Sequence, residues 1–143
     1  MTNTITLSTK QTYGSLTNRI QELHCLFPAD FDMQVGFGGT EYMWSDCKPY
    51  SVCSVNKNWN NKGYEILGVQ QDYHAPNKDR TDYVYTPNIN ASVNYLKSEM
   101  VETKDGLKKR YRPVHWNKKT NRWNNGGVKI TLGHREYYRD PSF

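Results

Sequence analysis

Apolar and polar positions follow two different periods along this chain. Near the start, Tyr13, Leu16, Ile20, Leu23 and Phe27 recur at spacings of three, four, three and four. That is one stripe on an α-helix. Ser8 and Gln11 fit a capping box ahead of it, and Pro28 lacks the amide hydrogen needed to continue it. The pattern predicts a helix over residues 8–28, its stripe packed on a sheet or used as a seam between subunits. From Phe31 onward the period is two. Phe31, Met33, Val35 and Phe37 alternate with polar neighbours, Gly36, Gly38 and Gly39 permit a bend or bulge, and Tyr42 and Trp44 continue towards Asp46.

Further strands are predicted at about 50–57 and 64–72, joined through Asn60-Asn61-Lys62-Gly63, a turn signal because Asn and Gly tolerate positive φ. Residues 74–82 read as a polar loop and Tyr83 to Tyr85 as a short strand. Residues 91–101 are ambiguous between helix and strand, and 91–106 reads as an insertion. Strands at about 107–116 and 122–124 form a hairpin around 117–121, followed by a strand from Val128 to Leu132. The expected class is mainly β (α+β): a small barrel or strongly bent antiparallel sheet with one N-terminal helix. The 143 residues suit a single domain, 1–143, with the helix in 1–28 and the β core in 31–143.

Composition sharpens this outline in one respect. Residues 1–72 hold five Lys/Arg and seven Asp/Glu, a balance of −2, whereas residues 73–143 hold fourteen and seven, a balance of +7. Between Lys108 and Arg122 lie seven basic residues and no acid. Such asymmetry favours a phosphate-bearing partner, or serves simply as a solvated face. No secretory leader is visible in MTNTITLSTK, and no apolar run approaches a membrane span. Cys25, Cys47 and Cys53 are odd in number and read as free thiols. The expectation is a cytoplasmic protein without membrane contact.

Catalytic signatures are missing. His24, His74, His115 and His134 show no i, i+4 pair, and Cys47 and Cys53 are six apart, which matches no zinc knuckle. Gly36-Phe37-Gly38-Gly39 is not followed by Lys-Ser/Thr, and no Gly-x-Ser-x-Gly elbow occurs. Acid pairs such as Asp30/Asp32 and Asp79/Asp82 read as loop caps. A binding protein is expected rather than an enzyme, with no catalytic residue, no metal and no cofactor. What the chain does carry is interleaved basic and aromatic residues: Arg110, Tyr111, Arg112, His115, Trp116, Arg122 and Trp123. On a strand Lys108, Arg110 and Arg112 share one face and Lys109 and Tyr111 the other. Arg presents a planar fork of donors to phosphate, and an indole stacks on a base.

Several motifs carry a resemblance. Gly36-Phe37-Gly38-Gly39-Thr40 leads into Trp44-Ser45-Asp46, then Lys48-Pro49-Tyr50-Ser51-Val52, Val69-Gln70-Gln71-Asp72, Arg80-Thr81-Asp82, and Tyr83, Tyr85 and Pro87, with an ending like Y-x-DPSF. Over about residues 35–90 and 107–143 this resembles a small family of uncharacterised phage and bacterial proteins with WSD…PYTV motifs. Cys47 stands where that family carries Arg or His. The resemblance implies an origin in phage or mobile DNA and no mechanism. The leading expectation is a non-catalytic phage accessory protein holding a nucleotide-like anionic ligand in a basic-aromatic pocket, sequestering a host immune signal as anti-defence. Its expected ligand-binding residues are Trp44, Asp46, Arg80, Arg110, Arg112, Trp116, Arg135 and Tyr138. A homo-oligomer with the pocket between subunits is compatible with so short a chain. The alternatives are a nucleic-acid-binding module using the 108–123 hairpin, and a direct protein inhibitor of a host factor.

Overall fold

The computed structural model describes residues 26–138. Within them the chain is built from strands: β1 (Phe27–Pro28), β2 (Gly38–Tyr42), β3 (Cys47–Asn56), β4 (Ile66–Gln71), β5 (Tyr73–Pro76), β6 (Tyr83–Thr86), β7 (Asn94–Thr103), β8 (Gly106–Asn117), β9 (Arg122–Asn125) and β10 (Thr131–Leu132). A single 3₁₀ turn at Trp59–Asn61 is the only helical element among the described residues. The main sheet runs β1-β8-β7-β4-β3-β2-β10, with β9 also on β8, and all its pairings are antiparallel. It curls strongly into a half-barrel. β5 and β6 form a separate hairpin.

Alternation along the long strands explains the curl's filling. Val52 faces Val69 and Leu67 faces Leu96, so these four share the concave side. They join Phe31, Met33, Phe37, Tyr50, Ile130 and Leu132 in one buried cluster, flanked by Phe27, Val55, Tyr111 and Val128. A bulge between Val52 and Ser54 puts one extra residue into β3 and bends it. Gly39 lies against this core: a Cβ there would stand 2.6 Å from Ile130 Cγ2.

The strand reading is therefore correct in class, while three expectations are corrected or lie elsewhere. Most of the predicted helix, residues 8–25, lies outside the described residues. Its last stripe residue, Phe27, and its stop, Pro28, belong to β1 instead. Pro28 fits there because β1 ends the sheet and needs no outward N–H. Residues 31–37 form no strand, and although Phe31, Met33 and Phe37 are buried, the expected alternation breaks at Val35, which is 64% exposed. Their backbone reaches β3 only at Gly36, whose N–H donates to Val52 O, and Phe37, whose O accepts from Val52 N–H. Finally, residues 91–106, read from the sequence as an insertion, are not a surface excursion. They supply β7, an interior strand between β4 and β8 whose Leu96 has no exposed surface.

Candidate functional site

β8 sorts its side chains by parity. Lys109 and Tyr111 turn inward, where Lys109 Nζ pairs with Glu65 and donates to Phe31 O at 3.0 Å, and the Tyr111 hydroxyl donates to Glu65 Oε1 at 3.1 Å. Burial first, and the Glu65 charge second, hold the Tyr111 hydroxyl protonated well above its ordinary range. Lys108, Arg110, Arg112 and Trp116 take the opposite, convex side. Register on that side places Lys97 of β7 across from Arg112 and Glu99 across from Arg110. Glu99 engages both guanidiniums, Arg110 through Nε and Nη2, and Arg112 through Nε at 3.2 Å.

At the far end of β8 the convex side becomes aromatic. Trp116 and Trp123 are direct cross-strand partners in the β8–β9 hairpin, with ring centroids 5.1 Å apart at 71°. Trp59 packs on both, 5.5 Å from Trp116 and 5.8 Å from Trp123, and stacks on Tyr64 at 5.9 Å and 19°. Tyr95 closes on Trp123 at 5.2 Å, and Lys97 Nζ lies 4.3 Å from the centre of the Tyr64 ring. Two turns hold these rings. In the first, Trp59 N–H donates to Tyr64 O at 2.9 Å and Gly63 N–H donates to Asn58 Oδ1 at 2.8 Å. Asn60, Asn61 and Gly63 supply its left-handed φ values of 48°, 55° and 84°. In the second, Asn117 Oδ1 accepts from Lys119 N–H and Thr120 N–H, and Asn121 takes φ 53°.

Between these turns lies a cleft of about 660 Å³, lined by Trp59, Asn60, Lys62, Tyr64, Trp116, Asn121, Arg122 and Trp123. Two of the eight are cations and none is an acid. The Trp123 indole N–H is shielded from solvent and has no acceptor. A second cavity, about 580 Å³, opens between the margins of the curled sheet, with β8 residues 110–113 on one wall and residues 129–132 on the other. Arg110 and Arg112 are among its lining residues, and their guanidiniums are engaged by Glu99 of β7.

The eight residues expected to share one pocket separate into four places. Arg110, Arg112 and Trp116 do lie along one side of β8. Arg135 is internal: Nε donates to Asp72 Oδ2 at 2.9 Å, and Nη2 donates to Gly36 O at 2.7 Å and Ser51 Oγ at 2.8 Å. Trp44 is 89% exposed in the 43–46 turn, which Met43 N–H closes onto Asp46 O at 2.8 Å. Tyr138 pairs by its backbone with Cys47 beside that turn. Arg80 sits alone at the exposed tip of the β5–β6 hairpin, at φ 56°. Sequence reasoning missed Trp59, Lys62, Tyr64, Tyr95 and Lys97. The only local sign of them was a pair of rings bracketing an Asn-Gly turn.

One other polar cluster stands out. Glu136 has no exposed side-chain surface; His134 Nε2 lies 2.9 Å from its Oε1 and 3.1 Å from the Tyr42 hydroxyl, and the Cys47 thiol donates to its Oε2 at 3.8 Å. Burial, reinforced by the Glu136 charge, pushes the Cys47 thiol up to about 12, so it is no activated nucleophile at neutral pH. Among the described residues no group of three or more His, Cys, Asp or Glu is arranged to hold a metal ion, and no helix is long and apolar enough to cross a membrane. No family model matches the chain, and no curated protein or solved structure matches it.

Proposed function

We propose that this is a non-catalytic binding protein that captures a nucleotide-like anion on its convex face, with the base against the Trp59–Trp116–Trp123 cleft and the phosphate on Lys62 and Arg122. The observation that carries this reading is the lining of the cleft: three indoles and two cations with no carboxylate. A base stacked on an aromatic side chain gains about 1–3 kcal/mol without regard to its identity. An acid-free rim adds attraction for phosphate that no local anion opposes. A cluster serving only as core would bury all its rings, yet Trp116 remains 36% exposed. The resemblance to phage proteins gives the proposal its setting, capture of a signalling nucleotide of the host.

Tryptophan emission provides the test. Trp44→Phe removes the one indole outside the cleft, leaving Trp59, Trp116 and Trp123 as reporters. Titration with AMP, ATP, a cyclic dinucleotide and a short oligothymidylate should give saturable quenching with at least one of them. Trp116→Ala, verified as folded by its melting transition, should weaken that ligand about tenfold, the lower end of a stacking contribution. Emission unchanged by all four would overturn the proposal.

A further inference from the structure

The basic row beside the cleft points to the class of ligand. On the convex side of β7 and β8, Lys97, Arg112, Arg110 and Lys108 follow one another away from the indoles, four cations against the single carboxylate Glu99. Lys97 links row and cleft, being across from Arg112 in register while its ammonium caps the Tyr64 ring. Alternate residues on a strand advance by about 6.6 Å. Arg112 is four residues from Trp116, so it stands about 13 Å along β8, and Arg110 about 20 Å. A mononucleotide seated at the indoles can extend to the level of Lys97 and Arg112, but not to Arg110 and Lys108 beyond them. An extended strand reaches them, because its phosphates repeat on the same scale as the alternating side chains.

Resting on the cleft reading above, we propose that the ligand is a single strand of nucleic acid several nucleotides long. Its bases stack at the Trp59–Trp116–Trp123 cleft and its phosphates run over Lys97, Arg112, Arg110 and Lys108. Glu99 holds the two guanidiniums side by side in this arrangement and is also the one charge that repels the backbone. A duplex does not fit the cleft, since its bases present no free face to an indole.

Fluorescence polarisation tests this with labelled oligothymidylates of two, four and eight nucleotides, a matching duplex, and AMP as a competitor. Affinity should rise with length. Arg110→Ala and Arg112→Ala should each weaken the eight-nucleotide strand by about three- to tenfold and lower the salt slope by about 0.7, the counterion release of one single-strand phosphate. Arg110→Ala should not alter AMP binding. Glu99→Gln should tighten the long strand and leave AMP unchanged. AMP binding as tightly as the eight-nucleotide strand, with Arg110→Ala neutral, would overturn the strand and leave the cleft reading intact. Equal affinity for the duplex would also overturn it. A long strand that responds to the Arg variants but not to Trp116→Ala would instead defeat the cleft reading on which the inference rests.

Discussion

Asp72 has no exposed side-chain surface, and its carboxylate accepts from the Ser51 hydroxyl at 2.6 Å and from Arg135 Nε. Arg135→Ala removes the one cation paired with it among the described residues and also frees Gly36 O. Leaving a buried charge unpaired costs about 3–5 kcal/mol. Urea denaturation should show a loss of that size, and Arg135→Lys a smaller one, since Lys keeps the charge but not the fork. Wild-type stability combined with lost nucleotide binding would return Arg135 to a ligand site. The same network accounts for Gly38, where a Cβ would stand 2.7 Å from Arg135 Nη1. Read as a sequence, Arg135 looks like a phosphate fork, because the donors that suit phosphate also suit carboxylate. Which anion takes them is decided by a partner 63 residues away, and no local pattern carries that. Lys109 misleads similarly: it belongs to the basic run by sequence but is 7% exposed and paired with Glu65.

Elements were legible where local chemistry decides them. Asn60-Asn61-Lys62-Gly63 reads as a turn and is one, because left-handed φ needs Asn or Gly. The β8–β9 hairpin follows from alternation on both sides of 117–121. β7 was not legible as an interior strand, since Asn94, Lys97, Ser98, Glu99, Glu102 and Thr103 dilute its apolar signal. Only pairing with β4 and β8 shows that it is an interior strand with Lys97 and Glu99 on one side. The cleft inherits the same difficulty: its rings come from the β3–β4 connection and the β8–β9 hairpin, with Tyr95 of β7 packed on Trp123, so its assembly depends on strand order. Asn121 offers a test of the hairpin. At φ 53° a β-branched residue is strained by about 1–2 kcal/mol. Asn121→Val should therefore lower the melting temperature, while Asn121→Gly should stay near wild type. Because the turn sets the Trp116–Trp123 register, Asn121→Val should weaken nucleotide binding as well. Equal melting of all three proteins would show that the turn does not constrain the hairpin.

For the molecule as a whole, β7 decides whether the half-barrel exists at all. It joins two parts of the sheet, β4-β3-β2-β10 on one side and β8 with β1 and β9 on the other. Its Leu96 lies in the core between those parts, and Ser98 Oγ accepts from Glu65 N–H at 2.8 Å while Ser98 N–H donates to Glu65 O at 3.0 Å. Glu65 in turn holds Lys109 and Tyr111 of β8, so the buried ion pair spans the strand that β7 provides. Deleting residues 91–106 would strip the ladder from both neighbours and take Leu96 out of the core. It would also ask β4 and β8 to meet directly, moving Glu65 and Lys109 out of their geometry. A surface insertion behaves differently, since long surface excursions are tolerated at small entropic cost. The deletion protein should therefore show no cooperative melting transition and accumulate in the insoluble fraction. Replacing Lys97, Glu99 and Val101 together by Thr, which keeps the strand and changes only its convex side, should leave a cooperative transition. A deletion protein that melts cooperatively near the wild-type temperature would mean that β4 and β8 can close the sheet without β7.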